Sequence, residues 1–172
     1  MSTFTVDPST LSSIKNKTVL ITNGSGGIGL ATAQLVASLC PSNNLIIVDR
    51  QPPPSSLSRT LDSRVLFQNC DITSWKSQRA AFEAGYAKFG RIDAVYVNAG
   101  IAEIGDQFFK DELDGAGKLK EPDRRVLTID MDAAADTTKL AIHYLRKNTE
   151  GGSIVMTASL AGYLASAGGA VI

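Results

Sequence analysis

The chain has 172 residues, 17 basic against 17 acidic side chains, and 44% hydrophobic and 20% charged residues. This is an ordinary soluble composition, long enough for one domain over 1–172. The even charge balance argues against nucleic acid or a membrane surface as partner. Apolar runs such as Leu45-Ile46-Ile47-Val48 fall far short of the ~20 residues that span a bilayer. The start Met1-Ser2-Thr3-Phe4-Thr5 also lacks a signal peptide's apolar core, so a cytoplasmic location is expected. Cys40, Cys70 and His143 show no disulfide or metal-ligand spacing and read as packing residues, with no metal expected.

After a polar lead-in over 1–16, strand and helix patterns alternate. A β-branched strand at Thr18–Thr22 runs through a glycine-rich turn into a helix from Gly27 to Leu39, with Ile28, Ala31, Leu35 and Val36 on one face. The apolar strand Leu45–Asp49 suits a parallel sheet covered on both sides. A loop over Gln51–Ser56, a strand at Val65–Cys70 and a helix at Ser74–Phe89 stopped by Gly90 come next. A strand at Ala94–Asn98 leads to a charged loop over 102–124, a long helix Arg125–Arg146 and a last strand at Ser153–Ala158. The alternation predicts an α/β protein with a Rossmann-like, doubly wound parallel sheet in three layers, α/β/α.

In such a sheet, ligands bind at the strands' carboxyl ends, where the order reverses. Here that point is the turn Gly24-Ser25-Gly26-Gly27-Ile28-Gly29, which satisfies G-x-G-x-x-G. Its glycines let backbone approach a ligand, and the helix behind them aims free N–H groups and a positive dipole end at phosphate. Asp49 closes the second strand about 20 residues beyond Gly29, where a carboxylate accepts hydrogen bonds from an adenosine ribose. Its charge repels a 2′-phosphate and favours NAD. The neighbouring Arg50 leaves NADP open, because a guanidinium reaches phosphate well.

From Thr18 onward the sequence resembles the classical short-chain dehydrogenase/reductase family. The family's T-G-x-x-x-G-x-G turn is matched by Thr22-Asn23-Gly24-Ser25-Gly26-Gly27-Ile28-Gly29, with Asn23 in place of the first glycine. Asparagine tolerates the left-handed backbone that such a turn uses. Asp71-Ile72-Thr73 matches the family's acidic motif at the adenine ring, and Val97-Asn98-Ala99-Gly100 matches its N-N-A-G motif without the first asparagine. The resemblance implies a nicotinamide cofactor held by Asn23, Ser25, Gly26, Gly27, Ile28, Gly29, Asp49, Arg50, Asp71, Ile72, Asn98, Ala99 and Gly100.

In this family a serine polarises the substrate carbonyl, a tyrosine moves the proton, a lysine four residues later lowers the tyrosine pKa, and an asparagine supports a water relay. Ser159 falls on the serine and Asp130 on the asparagine, with Asp132 the alternative if the helix register shifts. An ionised aspartate accepts hydrogen bonds but does not donate as an amide does. Tyr86, Tyr96, Tyr144 and Tyr163 have no lysine four positions on, and the sequence stops where the family's tyrosine is due. It is therefore read as part of a longer enzyme, with an uncovered apolar sheet edge that favours association, and a homo-oligomer is expected.

The resemblance thus implies an NAD-dependent oxidoreductase acting on a small-molecule alcohol or ketone, this chain being the impaired cofactor-binding part. Asn23, Val97 and Asp130 keep two alternatives in view: a dinucleotide-binding pseudoenzyme, and a non-redox enzyme using the cofactor as scaffold. Lys118, Lys120, Arg124 and Arg125 interleave with Glu121 and Asp123 and read as a solvated loop, while Phe108 and Phe109 are slight candidates for substrate contact.

Overall fold

The computed structural model describes residues 7–57, 62–102, 105 and 109–159. Its elements in chain order are β1 (Thr18–Thr22), α1 (Gly27–Leu39), β2 (Asn44–Asp49), β3 (Val65–Asn69), α2 (Trp75–Phe89), β4 (Ala94–Val97), α3 (Ala133–Leu145) and β5 (Ser153–Met156). All strands pair in parallel, in the order β3-β2-β1-β4-β5. The order runs one way from β1 to β3 and reverses at β4, so the fold is the doubly wound Rossmann-like sheet that the alternation predicts.

Side-chain alternation in the central strands feeds two cores. Leu20, Ile46 and Val95 point to the face covered by α2 and α3, where they meet Phe82, Leu140, Ala141 and Tyr144. Val19, Ile21, Leu45 and Ile47 point to the other face and pack on Ala33 and Val36 of α1. Burial on both sides explains why β1 and β2 are apolar without interruption. Strand edges are less covered, and on β5 Val155 and Met156 stand 57% and 53% exposed.

Local chemistry sets the helix ends. Ser74 caps α2 by accepting the Ser77 N–H at 3.3 Å, and Gly90 ends it in the left-handed conformation at φ 71°. Several expectations need correction. The lead-in contains a 3-10 helix, Pro8–Ile14, started by Asp7 accepting the Ser9 N–H and by proline in the first turn. The buried face of α1 is Gly29, Ala33 and Val36, while Ile28 and Leu35 are 64% and 51% exposed. Close approach of Gly29 to the sheet rotates the helix to that face.

The long helix is not uniform, because a π-helix over Leu127–Asp132 precedes α3. Within the 102–124 loop, Leu113 bridges Leu119, and Asp114 Oδ1 accepts the Ala116 and Lys118 N–H groups at 2.8 and 3.0 Å. Lys120, Arg124 and Arg125 pair with Glu112, Glu121 and Asp123, in keeping with a solvated loop. Cys70 is buried as expected, but Cys40 is only half-buried beside Ser42, and His143 is exposed with its ring against Tyr144 at 5.1 Å. Both lie at or near the ends of their helices, where the core does not enclose them.

Candidate functional site

The turn after β1 is built around Thr22. Its Oγ1 accepts the Asn98 and Ala99 N–H groups at 2.9 and 3.0 Å, tying the end of β1 to the loop after β4. Asn23 adopts φ 53° and its N–H donates to the Val48 carbonyl at 2.8 Å, tying the same turn to β2. Gly29 lies so close that a Cβ there would stand 2.1 Å from the Asn23 carbonyl oxygen and 2.8 Å from Asn98 Nδ2. Only glycine lets α1 begin directly behind the strand ends.

The helix start is open toward solvent. Gly26 caps α1 without a side-chain hydrogen bond, and a Cβ at Gly26 or Gly27 would meet nothing within 4 Å. Ser25 Oγ is the buried side-chain oxygen that lacks a partner among the described residues. An uncapped helix N-terminus, open glycine backbone and an unsatisfied hydroxyl suit the oxygens of a diphosphate.

To one side of the turn stand Asp49 and Asp71. Asp49 Oδ2 accepts the Ser25 N–H at 3.0 Å and Oδ1 accepts the Gln51 N–H at 3.1 Å, so this carboxylate shapes the glycine turn as well as facing the groove. Asp71 Oδ1 accepts the Thr73 hydroxyl at 2.7 Å and its N–H at 3.0 Å, which holds the Asp71 carboxyl below the usual range. Between them the Cys70 thiol is pushed up by burial. Asn23, Asp49, Arg50, Asp71, Ile72 and Gly100 line this end together. Thr128 of the π-helix and Arg125 just before it, which the sequence did not mark as site residues, close this end.

On the other side, Asn98 Oδ1 accepts the Thr157 hydroxyl at 2.9 Å, and the same hydroxyl lies 2.8 Å from the Tyr96 phenol. Ser159 lies two residues beyond Thr157 and faces a groove that it lines with Asn23, Ile28, Asn98 and Asp130. Asp130 Oδ1 accepts the Ile101 N–H at 2.9 Å and sits 3.3 Å from where a Gly100 Cβ would be. The π-helix places Asp130, and not Asp132, among the residues that line the groove. Phe109 is 65% exposed and away from both ends, and Phe108 lies outside the described residues, as do 166–172 and Tyr163.

Asn23, Ala99, Gly100 and Ile101 line both ends, so they form one groove across the carboxyl edge of the sheet. Asp132, Phe109 and the undescribed Phe108 apart, the structure brings the candidate residues named from the sequence to that groove or to the turn that forms its floor. Thr157 and the π-helix are the parts that motif reading missed, and Thr22, the first residue of the matched turn, has a role across the sheet that the motif does not state.

The comparisons with known proteins agree with this geometry. The profile described as short chain dehydrogenase matches residues 17–171, and the chain belongs to that family. It is 35% identical over 163 residues to the short-chain dehydrogenase/reductase prx4 of Penicillium rubens, covering 95% of this chain and 46% of the relative. It is 39% identical over 155 residues to the short-chain dehydrogenase/reductase ascJ of Acremonium egyptiacum, covering 88% and 50%. The chain therefore spans about half the length of these curated relatives. Among solved structures, a levodione reductase superposes with a TM-score of 0.72 at 25% identity, covering 91% of this chain and 59% of that one. An NADPH-dependent 3-quinuclidinone reductase from Rhodotorula rubra shares the fold at a TM-score of 0.73 and 22% identity, covering 97% and 62%. NAD(P)-type oxidoreductase chemistry is the property of the family.

Proposed function

We propose that this chain is the dinucleotide-binding domain of an NAD-dependent oxidoreductase that interconverts a small-molecule alcohol and its carbonyl. The observation that carries the reading is the continuity of the groove, from the Asp49 and Asp71 carboxylates, past the open N-terminus of α1, to Ser159. Its two ends suit the two nucleosides of a dinucleotide and its middle suits the diphosphate. The bound nicotinamide supplies hydride acceptance and donation.

The chain's own residues supply the rest. Asp49 offers carboxylate oxygens to a ribose, and its charge disfavours a 2′-phosphate, so NAD is preferred over NADP despite Arg50. Gly26, Gly27, Ile28 and Gly29 present backbone to phosphate, and Ser25 Oγ gains a hydrogen-bond partner there. Asp71 and Ile72 flank the base. Asn98, Ala99 and Gly100 form the floor between the two ends, held by Thr22 and Asp130. Ser159 donates to the substrate's carbonyl oxygen and polarises it, and proton transfer needs a further acid, since no tyrosine of this chain stands four residues before a lysine. The 172-residue chain alone turns over slowly for that reason, and it works in a cytoplasmic homo-oligomer.

The test is binding and turnover by the full-length protein with NAD and NADP and a panel of secondary alcohols, followed by nicotinamide absorbance. Saturable binding of NAD tighter than NADP, with alcohol-dependent reduction lost in Ser159→Ala, is the expected result. Binding without any redox turnover identifies a pseudoenzyme or a non-redox enzyme. Absence of dinucleotide binding overturns the reading altogether.

A further inference from the structure

The groove end at Ser159 carries an unusual charge distribution. The side chains lining it are apolar or neutral, from Asn23 and Ile28 through Asn98 and Met156 to Thr157 and Ser159, with one exception. Asp130 is the single ionisable side chain among the described lining residues, and its charge is what an asparagine at this position would lack. The arginines nearby are engaged elsewhere: Arg124 pairs with Glu121, and Arg125, which lines the opposite end of the groove, pairs with Asp123.

Asp130 is also held in place. Ile101 N–H donates to Oδ1 at 2.9 Å, and the carboxyl group lies against the Gly100 backbone, so the charge is fixed on the groove wall. An asparagine would accept the same hydrogen bond from Ile101 through its own Oδ1. The aspartate therefore adds a negative charge and removes a donor, with the loop geometry left intact.

This inference rests on the dinucleotide reading. We propose that Asp130 makes the site discriminate between the two oxidation states of the cofactor and favour the oxidised one. The oxidised nicotinamide ring carries a positive charge and the reduced ring carries none, while the rest of the molecule is the same. A fixed carboxylate on the wall of the nicotinamide end lowers the free energy of the cationic ring alone. The preference favours alcohol oxidation by keeping the site loaded with oxidised cofactor at a given ratio of the two forms in solution. Asp130 is in this sense a specificity-determining residue.

The experiment measures four dissociation constants by calorimetry on the full-length protein: oxidised and reduced cofactor, each with the native protein and with Asp130→Asn. The NAD pair and the NADP pair are run in parallel, and the tighter-binding pair is used. The ratio of the two constants cancels every contact that both oxidation states share. Asp130 is exposed to solvent in this chain, so its charge acts through a water-like dielectric and the ratio is expected to shift by about three- to sevenfold. Asp130→Asn should weaken the oxidised form, leave the reduced form nearly unchanged, and show a smaller difference from the native protein as salt rises.

An unchanged ratio with both forms still binding overturns the inference and leaves the cofactor reading standing. A shift that is independent of salt also overturns it, because the effect is then not one of charge. If neither form binds the native protein, both readings fall together. A thermal melt of Asp130→Asn without cofactor identifies a folding defect, and the oxidised-to-reduced ratio in Asp130→Ser then provides the same comparison.

Discussion

At the residue scale, the turn depends on two side chains that do different work. Thr22 is 2% exposed, and its Oγ1 satisfies two backbone donors, the buried N–H of Asn98 and the part-buried N–H of Ala99. Thr22→Val keeps the shape but leaves both donors without a partner, at about 1 to 3 kcal/mol for each buried unsatisfied group. The variant should lose roughly 3 kcal/mol in urea denaturation and bind dinucleotide more weakly. Asn23 tests the backbone instead. At φ 53° a glycine is unstrained and a β-branched residue is an outlier. Asn23→Gly should keep stability within about 0.5 kcal/mol, whereas Asn23→Val should lose about 2 kcal/mol or more. Equal losses in the two variants would show that the Asn23 side chain matters more than its conformation. This position was legible in the sequence, because the resemblance aligned an asparagine with a glycine and only a left-handed turn makes that exchange sensible. The hub at Thr22 was not, since a strand-end threonine reads as ordinary β-propensity until its partners across the sheet are known.

At the element scale, the joint between α2 and α3 is a buried polar network that hydropathy reading passes over. Gln78 is 2% exposed and donates from Nε2 to the Ile72 carbonyl at 2.6 Å and to the Ala133 carbonyl at 3.1 Å. Its Oε1 accepts the Thr137 hydroxyl at 2.7 Å. One side chain thus couples the Asp71-Ile72 loop to the first turn of α3, directly after the π-helix that presents Asp130. Gln78→Leu fills similar volume but removes the side-chain donor from the part-buried Ile72 carbonyl and from the Ala133 carbonyl, to which the Thr137 hydroxyl still donates. It should cost about 2 to 4 kcal/mol, and Thr137→Val alone, which leaves both Gln78 donor bonds in place, about 1 kcal/mol. Chemical denaturation of the two single variants and the double variant checks this, and fully additive losses would mean that the two side chains do not act together. The strands, by contrast, were readable to within a residue or two, because each is a short apolar run set off by turn and helix signals, and those of β1 and β2 are buried on both faces. The face of α1 was misread for an equally physical reason. Period alone ranks Ile28 and Leu35 as core, but the contact of Gly29 with Asn23 and Asn98 fixes the helix rotation and turns them outward.

At the scale of the whole molecule, the titrating groups of the groove set the pH range over which the sheet holds together. Asp71 has its pKa lowered by the Thr73 hydroxyl and then by the Thr73 N–H. A carboxylate whose folded pKa is depressed contributes stability that is present above its unfolded value of about 4 and is lost as pH falls through the folded one. Its exposure keeps that contribution small. The alkaline side has a firmer basis, because Cys70 is 1% exposed between β3 and the Asp71 loop and its thiol is raised chiefly by burial. Tyr144, stacked on Phe82 at 5.5 Å, is raised by burial and then by the charge of Glu83. For a raised group the sign is opposite: the stability is complete below the unfolded pKa and is lost as pH climbs through the folded value. The unfolded thiol ionises near pH 8.5 and the unfolded phenol near 10, so the decline begins at about 8.5 with Cys70 and steepens above 10 with Tyr144. Cys70→Ala removes the first step. Its urea midpoint should be lower than that of the native chain at pH 7, through the lost packing, yet fall less between pH 8 and 9.5. Parallel declines in the two proteins would show that the thiol does not govern the alkaline limb, and would place it on Tyr144 or on the lysines instead.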